Sequence, residues 1–247
     1  MIESLYRFRT IKNPEKELRD DYPGIRGVIL GSGPVDLDKY PDLRVISRVG
    51  VGLDNVDLEE CKKRNIAVEI TRCRELTNAV AEFTVMQLMG ILRKDRKTLS
   101  DVKVGIVGFG RIGKRVRQLL VNSSCYFYDK AVDGMNALDD FGILLSRSDV
   151  VLIHVSGNEQ VIGKTEIGVM KEGSYLANMA RQGCVDLDAV DRALGSGQLA
   201  GYVTDVDDYE FLIANRVLKT PHVASDTISA RTVMEEMAIE NIWRHLK

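Results

Sequence analysis

Short apolar runs alternate along the chain with segments whose apolar positions return every three or four residues. The runs GVIL (27–30), RVISRV (44–49) and IAVEI (66–70) predict strands. DLEECKKRN predicts a helix between the last two, with Asp57 as its N-cap. The segment TNAVAEFTVMQLMGILRK predicts a long helix. It is apolar on too many sides for a surface helix, so burial between layers or domains is expected. A second series of runs follows: KVGIVG (103–108), CYFYD (125–129), DVVLIHV (149–155), GSYLANM (173–179), LAGYVTDV (199–206) and RVLKT (216–220). Near-continuous apolar strands suit a sheet covered on both faces, and their alternation with helices predicts α/β layers around a parallel sheet. Residues from Ser225 to Lys247 predict one helix. The charged stretch RKDRKTLSD (93–101) is the expected domain junction.

Composition narrows the picture without adding to it. The 247 residues suffice for one large or two modest domains, and 45% hydrophobic with 28% charged residues is ordinary for a globular protein. A net charge of -2 gives no electrostatic case for nucleic acid or for an anionic membrane. Cys61, Cys73, Cys125 and Cys184 lie far apart and form no C-x-x-C pair, which suits a reducing compartment. No apolar run is long enough to span a bilayer, and MIESLYRFRTIKNPEKELRDD has no apolar signal core. A cytoplasmic location is the expectation, and no metal is expected.

The first specific chemistry lies in KVGIVGFGRIGKRV, which contains G-x-G-x-x-G at Gly108, Gly110 and Gly113. It follows a predicted strand and opens a predicted helix, the context that gives the motif meaning. Gly108 permits the tight turn, Gly110 lets the backbone approach a pyrophosphate, and Gly113 lets helix and strand pack closely. Phosphates sit at such a helix N-terminus because its unpaired N–H groups favour anions. Asp129 ends the next strand, about twenty residues beyond the first glycine, where a ribose-binding acid belongs. An acid there accepts from a ribose 2′-hydroxyl and repels a 2′-phosphate, which favours NAD over NADP.

Three later polar residues follow predicted strands. Arg181 stands in LANMARQGCVD after an apolar run, Glu210 in TDVDDYEF, and His222 in KTPHVAS. Each alone fits an ordinary loop role. Together they are expected to face the cofactor crevice, because ligands of open α/β sheets bind at the carboxyl ends of the strands. His154 ends a strand and is expected to be a structural, hydrogen-bonded histidine. His245 falls in the last helical turn, where a cation suits the dipole.

With these motifs in hand, the chain resembles the D-2-hydroxyacid dehydrogenase family, the group that includes D-3-phosphoglycerate dehydrogenase. RVISRVGVGLDNVDLEECKKRNIAV resembles the family's substrate-domain loop and following helix. NAVAEFTVMQLMGILR, VGIVGFGRIGKRV, SDVVLIHV, GSYLANMARQGCVDLDAVDRALGSGQLAGYVTDV and TPHVAS follow in the family's order and spacing. The resemblance implies a Rossmann-type doubly wound parallel sheet over 94–225. It also implies a smaller, truncated flavodoxin-like substrate domain over 1–93 and 226–247. The implied reaction is hydride transfer between NAD(H) and a small 2-hydroxy or 2-keto acid. Arg181 matches the arginine that holds the substrate carboxylate, His222 the proton donor, and Glu210 its acidic partner. Asp205 matches a residue that contacts the nicotinamide carboxamide. Arg111, Ile112, Met179 and Ser225 complete the implied cofactor contacts. The backbone around Val51 and Gly52 is the implied carboxylate site, with Ser32 and Arg48 as second contacts.

The chain also departs from the family. It begins without the usual first strand and helix of the substrate domain. The arm that normally precedes the glycine strand is reduced to KDRKTLSD, which leaves the family's homodimer open. Ser156 and Gln182 replace a usual proline and glycine. An NAD-binding regulatory protein of the corepressor kind is the rival reading. Formate as substrate is disfavoured, because formate dehydrogenases of the family usually carry glutamine where Glu210 stands.

Overall fold

The structure is a computed structural model and describes residues 1–12, 24–121, 123–131, 140–206, 209–212 and 214–247. It divides into two compact units, Met1–Leu76 with Ser225–Lys247, and Thr77–Ala224. The sequence reading set the junction at 93/94 and 225/226. Most of the long helix belongs to the larger unit.

The smaller unit holds four parallel strands: β1 (Ile2–Leu5), β2 (Gly27–Leu30), β3 (Val45–Arg48) and β4 (Ala67–Ile70). They lie in the order β1-β2-β3-β4, with Leu5, Leu30, Arg48 and Ile70 level at the carboxyl edge. α1 (Leu58–Lys63) starts at Asp57, whose side chain accepts from the Glu60 amide at 2.9 Å. Val28, Leu30, Ile46, Cys61 and Ile66 form the core on that face. α7 (Ile228–Leu246) packs over β2, β3 and β4 on the other. Gly27 makes that contact close: a Cβ there would meet Ile242 Cγ2 at 3.0 Å. β1 is absent from the sequence reading. It is an edge strand with two exposed residues, so it carries no apolar run.

In the larger unit all six strands are parallel: β5 (Lys103–Val107), β6 (Ser124–Tyr128), β7 (Val150–Ile153), β8 (Ser174–Asn178), β9 (Leu199–Thr204) and β10 (Val217–Lys219). Their order is β10-β9-β8-β7-β5-β6, so the winding reverses between β5 and β7. α2 (Arg74–Lys94) and α3 (Arg111–Leu119) cover one face through Leu88, Ile91, Leu92, Val116 and Leu120. α4 (Phe141–Arg147), α5 (Lys164–Val169) and α6 (Leu187–Ser196) cover the other through Leu144, Ile167, Val190 and Leu194. This is a doubly wound sheet, and its core strands are apolar throughout because both faces are covered.

One expectation for α2 needs correction. Leu88, Ile91 and Leu92 are fully buried, but Met86 and Met89 are 56% and 49% exposed. The helix is apolar on nearly every side, yet only part of that surface meets the sheet.

Candidate active site

Because every strand of the larger sheet is parallel, all its carboxyl ends open on one edge. The glycine turn follows β5 there, at the reversal of strand order. Gly108 has φ +90°, and a Cβ on it would lie 2.7 Å from the backbone of His154 and Val155 beyond β7. Only glycine suits both conditions. A Cβ on Gly113 would lie 2.3 Å from the Gly108 carbonyl oxygen, so this glycine sets how closely α3 approaches the turn. Gly110 caps α3, and a Cβ on it would meet nothing within 4 Å. It therefore leaves open space in front of the helix N-terminus, whose amides suit a pyrophosphate. Arg111 is exposed there, while Ile112 packs into the core beneath.

Asp129 stands just past β6 and reaches back to this turn. One of its oxygens accepts from the Phe109 amide at 2.6 Å, the other from the Ala131 amide at 2.9 Å. A carboxylate has about four acceptor sites, so two hydrogen bonds leave room for a ribose hydroxyl. The Phe109 ring stacks on Phe127 with centroids 3.7 Å apart, which fixes the turn from the other side.

Beyond β7, His154 departs from its sequence expectation. Both ring nitrogens are buried with no hydrogen-bond partner. Burial lowers its pKa to about 4, so the ring is neutral at physiological pH.

Arg181 follows β8. It is half-buried, and its Nη1 donates to the Ala180 carbonyl at 2.8 Å. The backbone beneath it is held by fully buried Asn178. Asn178 donates to the Arg181 carbonyl at 2.8 Å and accepts from the Ala180 amide at 3.1 Å. Met179 lies between them and is buried.

Asp205 follows β9 and His222 follows β10. Asp205 is 2% exposed, and its carboxylate faces the 220–224 loop. One oxygen accepts from Thr220 Oγ1 at 2.6 Å and from the Val223 amide at 2.9 Å. The other accepts from the Ala224 amide at 2.8 Å. His222 is exposed on this loop in the left-handed region, with φ +53°. Glu210 is exposed in the 209–212 segment, and no hydrogen bond joins it to His222. Ser225 opens the return to the smaller unit, its carbonyl accepting from the Thr227 amide at 3.0 Å.

In the smaller unit, Ser32 is exposed just past β2; Arg48 ends β3, Val51 and Gly52 follow it, and all three are half-buried. Sequence reasoning missed the residues that hold these loops. Buried Thr71 brackets Gly50, accepting from its amide at 2.7 Å and donating its own amide to the Gly50 carbonyl at 2.9 Å. Asn55 Nδ2 donates to Gly31 O at 3.1 Å and Gly33 O at 2.5 Å, on either side of Ser32. Glu235 on α7 is fully buried and gathers the segment after β1. It accepts from Tyr6 Oη at 2.9 Å, the Arg9 amide at 2.7 Å, and the Thr10 hydroxyl at 2.6 Å. The amides of Thr10 and Ile11 add bonds of 3.0 Å each. Burial pushes the Glu235 pKa up, but these hydrogen bonds together outweigh it and hold the group below its usual value. Glu235 had a legible signal, a carboxylate in register with Ala238 and Ile242 on an apolar helix face. Thr71 and Asn55 had none, since both sit in loops where polar residues are ordinary.

The doubly wound sheet, the glycine turn at its switch point and the acid beyond the next strand define a dinucleotide-binding protein. Residues 67–225 match the family model described as "D-isomer specific 2-hydroxyacid dehydrogenase, NAD binding domain", and the chain belongs to that family. It is 33% identical to a glyoxylate reductase of Thermofilum pendens over 85% of this chain and 74% of that protein. It is 29% identical to a 2-ketogluconate reductase of Gluconobacter oxydans over 97% of this chain and 87% of that protein. An NAD+-bound 3-phosphoglycerate dehydrogenase of Entamoeba histolytica shares the fold. The TM-score is 0.84 at 23% identity, covering 98% of this chain and 93% of that one.

Proposed function

We propose that the chain interconverts a small 2-keto acid and its D-2-hydroxy acid, with NAD(H) as cofactor. The observation that carries the reading is a convergence at one sheet edge. The glycine turn, Asp129, Arg181, Asp205 and His222 all follow carboxyl ends of parallel strands in one sheet. The open space at Gly110, before the helix N-terminus, fits a pyrophosphate. When bound, NAD supplies the hydride acceptor or donor.

The chain's own residues would do the rest. The Arg181 guanidinium holds the substrate carboxylate with two hydrogen bonds, a geometry lysine lacks. His222 gives a proton to the carbonyl oxygen in reduction and takes it back in oxidation. Glu210, which is not hydrogen-bonded to His222 here, would pair with it once cofactor and substrate are bound and favour its charged form. The backbone amides at Val51 and Gly52 bind the substrate carboxylate, with Ser32 and Arg48 beside them. Asp129 accepts from the ribose and selects NAD over NADP.

Self-association is proposed through α2. Glu82, Met86, Met89 and Arg93 are all exposed and fall within a stripe of about 60° at 100° per residue. Glu82 and Arg93 are equidistant from the midpoint of Met86 and Met89. Two antiparallel copies of the stripe would set Glu82 against Arg93 twice, with methionine on methionine between them. Among the described residues neither charged side chain has a partner.

The test of the activity is consumption of NADH with glyoxylate, pyruvate, 2-ketogluconate and a phosphorylated 2-keto acid, in wild type and His222→Gln. Turnover with at least one keto acid, abolished in the variant while NADH still binds, is the expected result. Tight NADH binding without turnover on any keto acid would instead favour the regulatory reading.

A further inference from the structure

We infer that Asp205 is the positioning residue of His222, acting through the backbone of the 220–224 loop. The inference rests on the proton-transfer role proposed for His222 and adds what holds that side chain in place. The loop is built around one carboxylate. Thr220 continues the β9–β10 ladder by one step, its amide donating to Thr204 O at 3.1 Å. The chain then turns within three residues, the His222 amide donating to Thr220 O at 3.1 Å across Pro221. Such a tight turn suits proline, whose ring fixes φ near the value the turn needs.

His222 itself adopts φ +53°, which a residue with a Cβ does not choose unaided. Its reversal is what aims the next two amides, Val223 and Ala224, at the Asp205 carboxylate, at 2.9 and 2.8 Å. Successive N–H groups after a left-handed residue form a concave anion site. Here the anion is the protein's own. Thr220 Oγ1, on the near side of the turn, closes the ring at 2.6 Å. The loop is thus tied on both sides of His222 to one buried charge, while the imidazole residue between the ties is exposed. The Asp205 residue is 2% exposed, and all three of its donors come from this loop.

The test uses Asp205→Asn and Thr220→Val in the 247-residue chain. Asparagine keeps the shape, but its NH2 group cannot accept from an amide, so at least one tie is lost. Thr220→Val removes one donor and leaves Asp205 in place. Saturating kcat for keto-acid reduction should fall at least tenfold in Asp205→Asn and by a smaller factor in Thr220→Val. The KM of the keto acid and the Kd of NADH, from fluorescence titration, should change less than twofold in both. Melting curves identify any variant that fails to fold, and in that case Thr220→Val carries the test through the same split between kcat and KM. Weakened NADH binding with saturating kcat intact would overturn the inference and assign Asp205 to the cofactor. Wild-type kinetics in both variants would overturn it as well. If His222→Gln itself retains wild-type turnover, the proton-transfer reading fails first, and that result is separate from either outcome for Asp205.

Discussion

Two of the three glycines in the turn make opposite demands, and alanine at each should separate fold from binding. At Gly113 an added Cβ lies 2.3 Å from the Gly108 carbonyl oxygen, where ordinary contact begins near 3.4 Å. The obstacle is backbone, so α3 or the turn must yield by about 1 Å. Overpacking of this kind costs about 1–3 kcal/mol, and alanine's better helix propensity returns about 1 kcal/mol. A net loss of about 1 kcal/mol lowers the melting temperature by about 2–4 °C in a domain of this size. Shifting the helix N-terminus should also weaken NADH at least tenfold, about 1.4 kcal/mol. At Gly110 the backbone has φ -72° and no atom within 4 Å of a Cβ. Gly110→Ala should therefore cost the unliganded protein only about 0.5 kcal/mol at the cap. The methyl group fills the space left for the pyrophosphate, so NADH affinity should still fall at least tenfold. Melting curves without ligand and fluorescence titration with NADH read both quantities. Wild-type NADH affinity in Gly110→Ala, or a wild-type melting temperature in Gly113→Ala, would refute the reasoning.

Arg181→Lys keeps the charge and loses the two-pronged grip, so kcat/KM should drop at least tenfold, about 1.4 kcal/mol; near-wild-type kinetics would show that Arg181 does not hold the substrate. Glu235 has a folded pKa below the ordinary value of 4.5, so its stabilisation is present above that pH and lost as pH falls through the folded value. Urea unfolding of Glu235→Gln should show lower stability than wild type at neutral pH and a gap that narrows in acid; an unchanged gap would remove the carboxylate from the account. His154 works at a higher pH: its folded pKa near 4 lies below the ordinary 6.5, so the unfolded chain takes up a proton first and stability falls as pH drops from 6.5 towards 4. His154→Leu should flatten that part of the stability curve. Glu82→Arg and Arg93→Glu should each shift sedimentation towards monomer and together restore the dimer; a monomeric wild type would end the α2 proposal.

Much of the larger unit was legible because its constraints are local. The glycine turn announces itself through residues that only a close backbone approach requires, and fully covered parallel strands leave uninterrupted apolar runs such as DVVLI and SYLA. Arg181 and His222 could be placed at strand ends because the runs before them end cleanly. The residues that support these positions were less visible. Asp205 was tied to the nicotinamide by resemblance, and only the coordinates reveal that its oxygens are occupied by a loop fifteen to nineteen residues onward. Asn178 lies within an apolar run and could have been flagged as a buried amide needing partners. β1 could not be read from its own residues, since an edge strand with exposed positions has no period to detect. The exposed face of α2 was misjudged for a related reason. Hydrophobicity on all sides says that a helix can be buried, and packing decides which sides are.

The path of the chain through the two units also orders its synthesis. Residues 77–224 are continuous, so every strand of the larger sheet and its flanking helices can emerge and close before residues 225–247 are made. The smaller unit has no such independence. The acceptor for the segment after β1 is Glu235, the side chain against Gly27 is Ile242, and the amide reaching Ser47 and Ile70 belongs to Asn241. Its first four strands must therefore wait, one sheet face bare, while more than half the protein is translated between them and α7. In a growing chain residues 1–76 emerge before the larger unit yet would be completed after it, a reversal of the usual N-terminal-first order. The bare face over β2, β3 and β4 is the surface that a holding chaperone would meet.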